Sequence, residues 1–175
     1  MRPPSVRSSG FPPIARRDAR VLILGSLPGQ VSLLRREYYA QPQNVFWRIM
    51  GELFGAGPEL PYVARGRALR QERIALWDVC ASAWRPGSLD TSIRRDSIVL
   101  NDFYRFLVSH REIRLIAFNG SKAAELYARG VLPRLAERAQ GIERRIMPST
   151  SPANASSSYQ EKLKRWAALK NLVEA

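Results

Sequence analysis

Four short strand-like segments, the first three largely apolar and each closed by a loop rich in Gly, Ser, Pro or Asn, limit what this chain can fold into more than any other feature. Arg20-Val21-Leu22-Ile23-Leu24 stops at Gly25, and Ile74-Ala75-Leu76-Trp77 runs into Asp78. Ile113 to Phe118 is followed by Asn119-Gly120-Ser121, and Arg144-Arg145-Ile146-Met147 by Pro148-Ser149-Thr150-Ser151-Pro152. Short apolar runs of this kind read as strands buried on both faces. Between them the period changes to that of a helix. Phe46, Ile49, Met50, Leu53 and Phe54 share one face and end at Gly55. Ile98, Val99, Phe103, Phe106 and Leu107 predict a helix over 96–109, another begins near Lys122, and Tyr159, Leu163, Trp166 and Leu169 predict one over 157–172. Residues 55–66 and 81–93 read as loops. The alternation predicts an α/β three-layer sandwich, a central, mainly parallel four-stranded sheet flanked by helices. Its loops 25–29, 78–90, 119–121 and 148–154 should meet in one crevice at the strand C-termini.

A chain of 175 residues buries a sizeable core as one domain. Residues 1–18, rich in Pro, Ser, Gly and Arg, are expected to be a flexible basic arm, and 19–175 the single domain. Lys and Arg number 28 against 15 Asp and Glu, a net charge of +13 spread along the chain in small groups. That spread suits a folded face held against a polyanion, with general solubility or an anionic membrane surface as the alternatives. No run approaches the ~20 apolar residues of a membrane span, and no apolar leader is present. One cysteine, Cys80, and one histidine, His110, support neither a disulfide framework nor a zinc cluster. We therefore expect no metal, no cofactor and no membrane, and a monomer in the cytoplasm (with the nucleoid in a bacterium).

The loop Gly25-Ser26-Leu27-Pro28-Gly29 leaves backbone N–H groups free to meet an anion or a base edge, yet is neither a Walker nor a dinucleotide fingerprint. Alone it is equally a structural turn. Taken with Tyr39-Ala40-Gln41-Pro42-Gln43-Asn44-Val45-Phe46-Trp47, it resembles the uracil-DNA glycosylase superfamily. The likeness is to the mismatch-specific enzymes and, more strongly, to the hypoxanthine-DNA (deoxyinosine) glycosylases. It continues through Leu76-Trp77-Asp78-Val79, Arg85-Pro86-Gly87-Ser88-Leu89-Asp90 and Phe118-Asn119-Gly120 to Pro148-Ser149-Thr150-Ser151-Pro152-Ala153-Asn154. Mismatch-specific relatives carry Asn at the position of Leu27, where it orients water. Leu27 has no hydrogen-bonding group, which places the chain with the hypoxanthine branch.

The resemblance implies roles for individual residues. Asn44 takes the catalytic one, although its position just before an apolar-periodic run favours a helix cap. A neutral amide is no general base, but it can orient water through its oxygen or donate N–H to the departing base. Gly25, Ser26 and Leu27 would line the base pocket, and Tyr39 would stack on the extruded base, with Tyr38 or Trp47 left to the core. Asp78 would accept a ring N–H, or else cap its loop. Asn119 would contact the base, brace the site or form a turn. Ser149, Thr150, Ser151 and Pro152 fall where the family wedges into the duplex and grips phosphate. The expected activity is monofunctional: a deaminated base, hypoxanthine first and uracil, xanthine or mismatched pyrimidines after it, is flipped from double-stranded DNA and hydrolysed off. No Lys in the four loops offers Schiff-base chemistry. A catalytically silent DNA-binding module of the same fold and an unrelated α/β enzyme acting on a small anion are the competing readings.

Overall fold

The computed structural model describes residues 7–174. The central sheet contains β2 (Val21–Gly25), β3 (Ile74–Asp78), β6 (Leu115–Asn119) and β7 (Glu143–Met147) in the order β3-β2-β6-β7. All three pairings are parallel, as the alternating pattern predicts. Side chains of a strand point alternately to its two faces, and β2 divides accordingly. Val21 and Ile23 join one buried cluster, and Leu22 and Leu24 the other.

On the first face lie α2 (Phe46–Phe54), α3 (Tyr62–Gln71), α7 (Tyr159–Trp166) and α8 (Lys170–Glu174), which contribute Phe46, Ile49, Met50, Leu69, Trp166 and Val173. On the second lie α4 (Phe103–Ser109), α5 (Ser121–Leu126) and α6 (Glu137–Gln140), with Phe103, Phe106, Leu126 and Ala139. A six-residue helix, α1 (Gln30–Arg35), follows the first loop. No helix among the described residues is long and apolar enough to cross a membrane.

The structure departs from the sequence expectation in three places. Residues 62–71 form α3, whose sparse apolar positions hid it. The expected helix over 96–109 begins only at Phe103, where Asp102 caps it by accepting from the Arg105 N–H at 3.0 Å. Residues 80–84, expected as loop, form β4 (Cys80–Trp84), the centre of a small antiparallel sheet with β1 (Arg7–Ser9) and β5 (Val99–Leu100).

That small sheet also bears on the arm. Residues 1–6 lie outside the described residues, but from Arg7 onward the segment is docked. Arg7 to Ser9 pair with Trp84 to Ser82, and Ile14 exchanges backbone hydrogen bonds with Leu76 at 2.9 and 2.8 Å. The Phe11 and Pro12 carbonyls accept from the Tyr38 hydroxyl, and Phe11 also accepts from the Trp77 indole. Buried polar rings need partners, and this segment supplies them. Removing residues 1–15 is therefore expected to cost roughly 2–4 kcal/mol, a fall in Tm of about 5–15 °C by thermal denaturation. An unchanged Tm would restore the mobile arm.

Candidate active site

The C-terminal ends of β2, β3, β6 and β7 open into one cavity of about 800 Å³. Its wall includes Gly25, Ser26, Leu27, Tyr39, Asn44, Asp78, Asn119, Ser149, Thr150, Ser151 and Pro152, so every residue singled out from the sequence meets here. Strand register explains half of this. Gly25 pairs with Asp78 across β2 and β3, and Asn119 with Met147 across β6 and β7.

Gly25 is required by closeness. A Cβ there would lie 2.5 Å from Asp78 Oδ1 and 2.8 Å from the Tyr39 hydroxyl, nearer than real contacts allow. The missing side chain lets a carboxylate and a phenol approach the same point at the cavity floor. Asp78 is 4% exposed, and its Oδ2 has no hydrogen-bond partner. Burial, reinforced by the Asp90 charge and opposed by Arg85, raises its pKa from 3.8 to about 7. No hydrogen bond to its own loop occupies Oδ2, so it is open to a partner in the cavity. Tyr39 holds a positive φ of 52°, its hydroxyl is buried without a partner, and its ring stacks on Phe46 with centroids 4.0 Å apart. Tyr38 and Trp47 belong to the core: the Trp47 indole donates to the Tyr38 carbonyl at 2.7 Å.

Asn44 makes the bond that its position before a helix predicts and also lines the cavity. Its Oδ1 accepts the Phe46 N–H at 3.0 Å at the start of α2. That bond fixes which end of the amide is oxygen, and it leaves Nδ2 without a hydrogen bond among the described residues, on a residue of the cavity wall. The adjacent Val45 N–H donates to the Thr150 carbonyl at 3.1 Å. Thr150 is in turn clamped by Asn119, which donates from Nδ2 to Thr150 Oγ1 and accepts from the Thr150 N–H, both at 2.9 Å. Of the three roles open to Asn119, the structure shows a brace: it ties the last loop to the sheet and, through it, to the residue beside Asn44.

The last loop is anchored from behind. The Trp166 indole donates to the Pro148 carbonyl at 3.0 Å, and the buried Lys162 ammonium to that of Asn154 at 2.9 Å. Gly120 (φ 94°) approaches so closely that a Cβ would sit 3.2 Å from that of Ser149. Ser149 and Ser151 each accept a backbone N–H two residues on.

One residue that carries the site had no role assigned from sequence. Arg85, with its side chain fully buried, donates to the carbonyls of Leu27, at 3.2 Å, and Pro28. It also pairs with Asp90 at 3.5 Å, whose carboxylate accepts the Ser26 hydroxyl at 2.6 Å. With every peptide among the described residues trans, drawing the Pro28 carbonyl toward Arg85 turns the Gly29 N–H away from it. The signal was present: an arginine next to Pro-Gly in a polar excursion has few reasons to be buried except to hold other backbone.

No group of three or more His, Cys, Asp or Glu residues among those described could hold a metal ion. The neutral amides, hydroxyls and single buried carboxyl suit a flat, uncharged heterocycle with N–H and C=O edges. Residues 12–171 match the family model described as the uracil DNA glycosylase superfamily, and the chain belongs to that superfamily. It is 37% identical over 158 residues to a hypoxanthine DNA glycosylase of Methanosarcina barkeri (strain Fusaro / DSM 804), covering 90% of this chain and 94% of that one. It is 38% identical over 146 residues to the protein of that name in Methanosarcina acetivorans, covering 83% and 87%. It also superimposes on the solution NMR structure of a candidate uracil DNA glycosylase from Methanosarcina acetivorans, with TM-score 0.79, 35% identity and coverage of 97% and 100%.

The Asp78 carboxyl yields a test of the site's electrostatics. Its folded pKa stands above the unfolded one, so its contribution to stability is intact below about pH 4 and is lost as pH rises through about 7. Asp78→Asn should therefore melt higher than the wild type at pH 8, by roughly 5 °C, with the gap closing toward pH 4. A gap that is constant with pH would show that Asp78 titrates normally.

Proposed function

We propose that this protein is a monofunctional DNA glycosylase that extrudes a deaminated base, hypoxanthine above all, from duplex DNA and hydrolyses its N-glycosidic bond. The observation that supports this reading most directly is the match over most of its length to two proteins named hypoxanthine DNA glycosylase. The cavity chemistry agrees with it. Breaking the glycosidic bond develops oxocarbenium character on the sugar and negative charge on the base. Asn44 supplies the catalytic amide, and its fixed orientation makes the free Nδ2 a donor toward the departing base. Tyr39 presents an aromatic face to the flipped purine, a contact worth ~1–3 kcal/mol. Ionised Asp78 accepts the N1–H that hypoxanthine carries and adenine lacks, and Gly25, Ser26 and Leu27 form the pocket wall. The hydroxyls of Ser149 and Ser151, with Pro152, meet the phosphates, while Thr150, expected from sequence among them, is buried and bonded to Asn119 and so holds the loop in place rather than touching DNA; the net charge of +13 draws the duplex in. Uracil also carries a ring N–H beside a carbonyl, and it is the second substrate. The protein acts as a monomer, in the cytoplasm.

The decisive assay incubates a duplex carrying one deoxyinosine with the protein and then cleaves abasic sites with alkali. Strand scission is expected with the wild type. Asn44→Asp keeps the acceptor for the Phe46 N–H, and so the helix start, but loses the N–H donors; it should lower the single-turnover rate by roughly 10²-fold or more. Salt-sensitive binding without product on any lesion would instead identify a silent DNA-binding module. Full activity of Asn44→Asp would move catalysis off the amide N–H.

A further inference from the structure

The turn Pro86-Gly87-Ser88-Leu89 is fully on the surface, yet it is held more firmly than its exposure requires. Arg85 at its start is buried against the Leu27 and Pro28 carbonyls. Asp90 at its end accepts from Ser26 at 2.6 Å, and Ser88 Oγ accepts the Gln30 N–H at 2.9 Å. Three polar links thus clamp this turn to the first loop of the cavity. Riding on it is Leu89, 58% exposed and part of the cavity rim. A leucine kept in water at the lip of a polar cavity is stabilising nothing in the free protein.

Extruding a base leaves a gap in the duplex stack, and an apolar side chain entering that gap offsets part of the cost. The last loop has nothing large enough, because residues 148–158 contain only Pro, Ser, Thr, Ala and Asn. Leu34 is more exposed, at 87%, but does not line the cavity. Ile146 does line it and is 53% exposed, but it is fixed within β7 at the sheet edge. We propose that Leu89, presented by the clamped turn, is the side chain that fills the space vacated by the flipped nucleotide. The last loop then grips backbone while the opposite rim supplies the plug. This proposal rests on the glycosylase reading.

The test compares single-turnover excision of hypoxanthine from the same strand in single- and double-stranded form. Leu89 is on the surface, so Leu89→Ala should fold and melt like the wild type. Its rate on duplex should fall roughly 10- to 100-fold, while its rate on single strand stays within about twofold, because there is no stack to refill. A duplex with a large aromatic nucleotide opposite the deoxyinosine, filling the gap from the other strand, should restore the variant. Ile146→Ala should leave the duplex-to-single-strand ratio unchanged. An equal loss on both forms would make Leu89 a pocket wall and overturn the proposal, as would an unaffected variant or a ratio that responds to Ile146 instead. A wild type inert on both forms would sink the glycosylase reading, and this inference with it; an active wild type whose ratio ignores Leu89 would sink only the inference.

Discussion

The site depends on one close approach, that of Asp78 and Tyr39 over the bare Cα of Gly25. Parallel pairing of β2 with β3 sets Gly25 opposite Asp78, and only the absence of a Cβ lets the carboxylate lie across its neighbour. The same vacancy admits the hydroxyl of Tyr39, whose left-handed backbone conformation costs a tyrosine on the order of 1 kcal/mol. The buried carboxyl oxygen and phenol oxygen have no partners in the free protein. Each is a desolvation cost left standing in the free protein. The core beneath can bear the cost, since both faces of the sheet are sealed by apolar side chains.

Much of this was legible in sequence, for reasons that differ from element to element. The strands showed because a parallel sheet covered on both faces needs continuous apolar runs, and Val21 to Leu24 and Ile74 to Trp77 leave no alternative. Helix α2 showed because five apolar residues keep one face between Asn44 and Gly55. By contrast, α3 buries little besides Gly66 and Leu69, so its Arg-rich sequence has no strong period. The small sheet was hidden because its strands are brief and carry no continuous apolar run: Arg7 to Ser9 is three residues long, and Cys80 to Trp84 buries only Cys80 and Ala83. The docked part of the arm was missed because it serves others, offering carbonyls to Tyr38 and Trp77, and composition does not encode that.

The residues that line the cavity were legible through their order along the chain, and their hydrogen bonds then differ from one to the next. Asn119 and Thr150 use their polar atoms on each other, and Asn44 uses only its oxygen. A reader of position alone would choose between cap and catalyst for Asn44. The two readings are compatible, because the bond to the Phe46 N–H determines which amide atom is left available. A side chain that must hold one orientation without relying on its ligand does well to spend one hydrogen bond on the backbone.

The same logic explains the buried Arg85. Desolvating a guanidinium is expensive, and its bond to Asp90 is long at 3.5 Å with Asp90 itself 41% exposed, so the pair is a poor source of stability. The guanidinium instead spends its fork on two consecutive carbonyls of the loop that carries Leu27. Where mismatch-specific relatives place a polar side chain in that loop, this chain has an apolar one, so any polar contact from the loop must come from its backbone. Backbone groups act well only when their peptide planes are fixed. Arg85 fixes two of them from the side, while the Leu27 side chain packs into the core. A buried arginine at 85 thus gives rigidity to a first loop whose residue 27 carries no polar group.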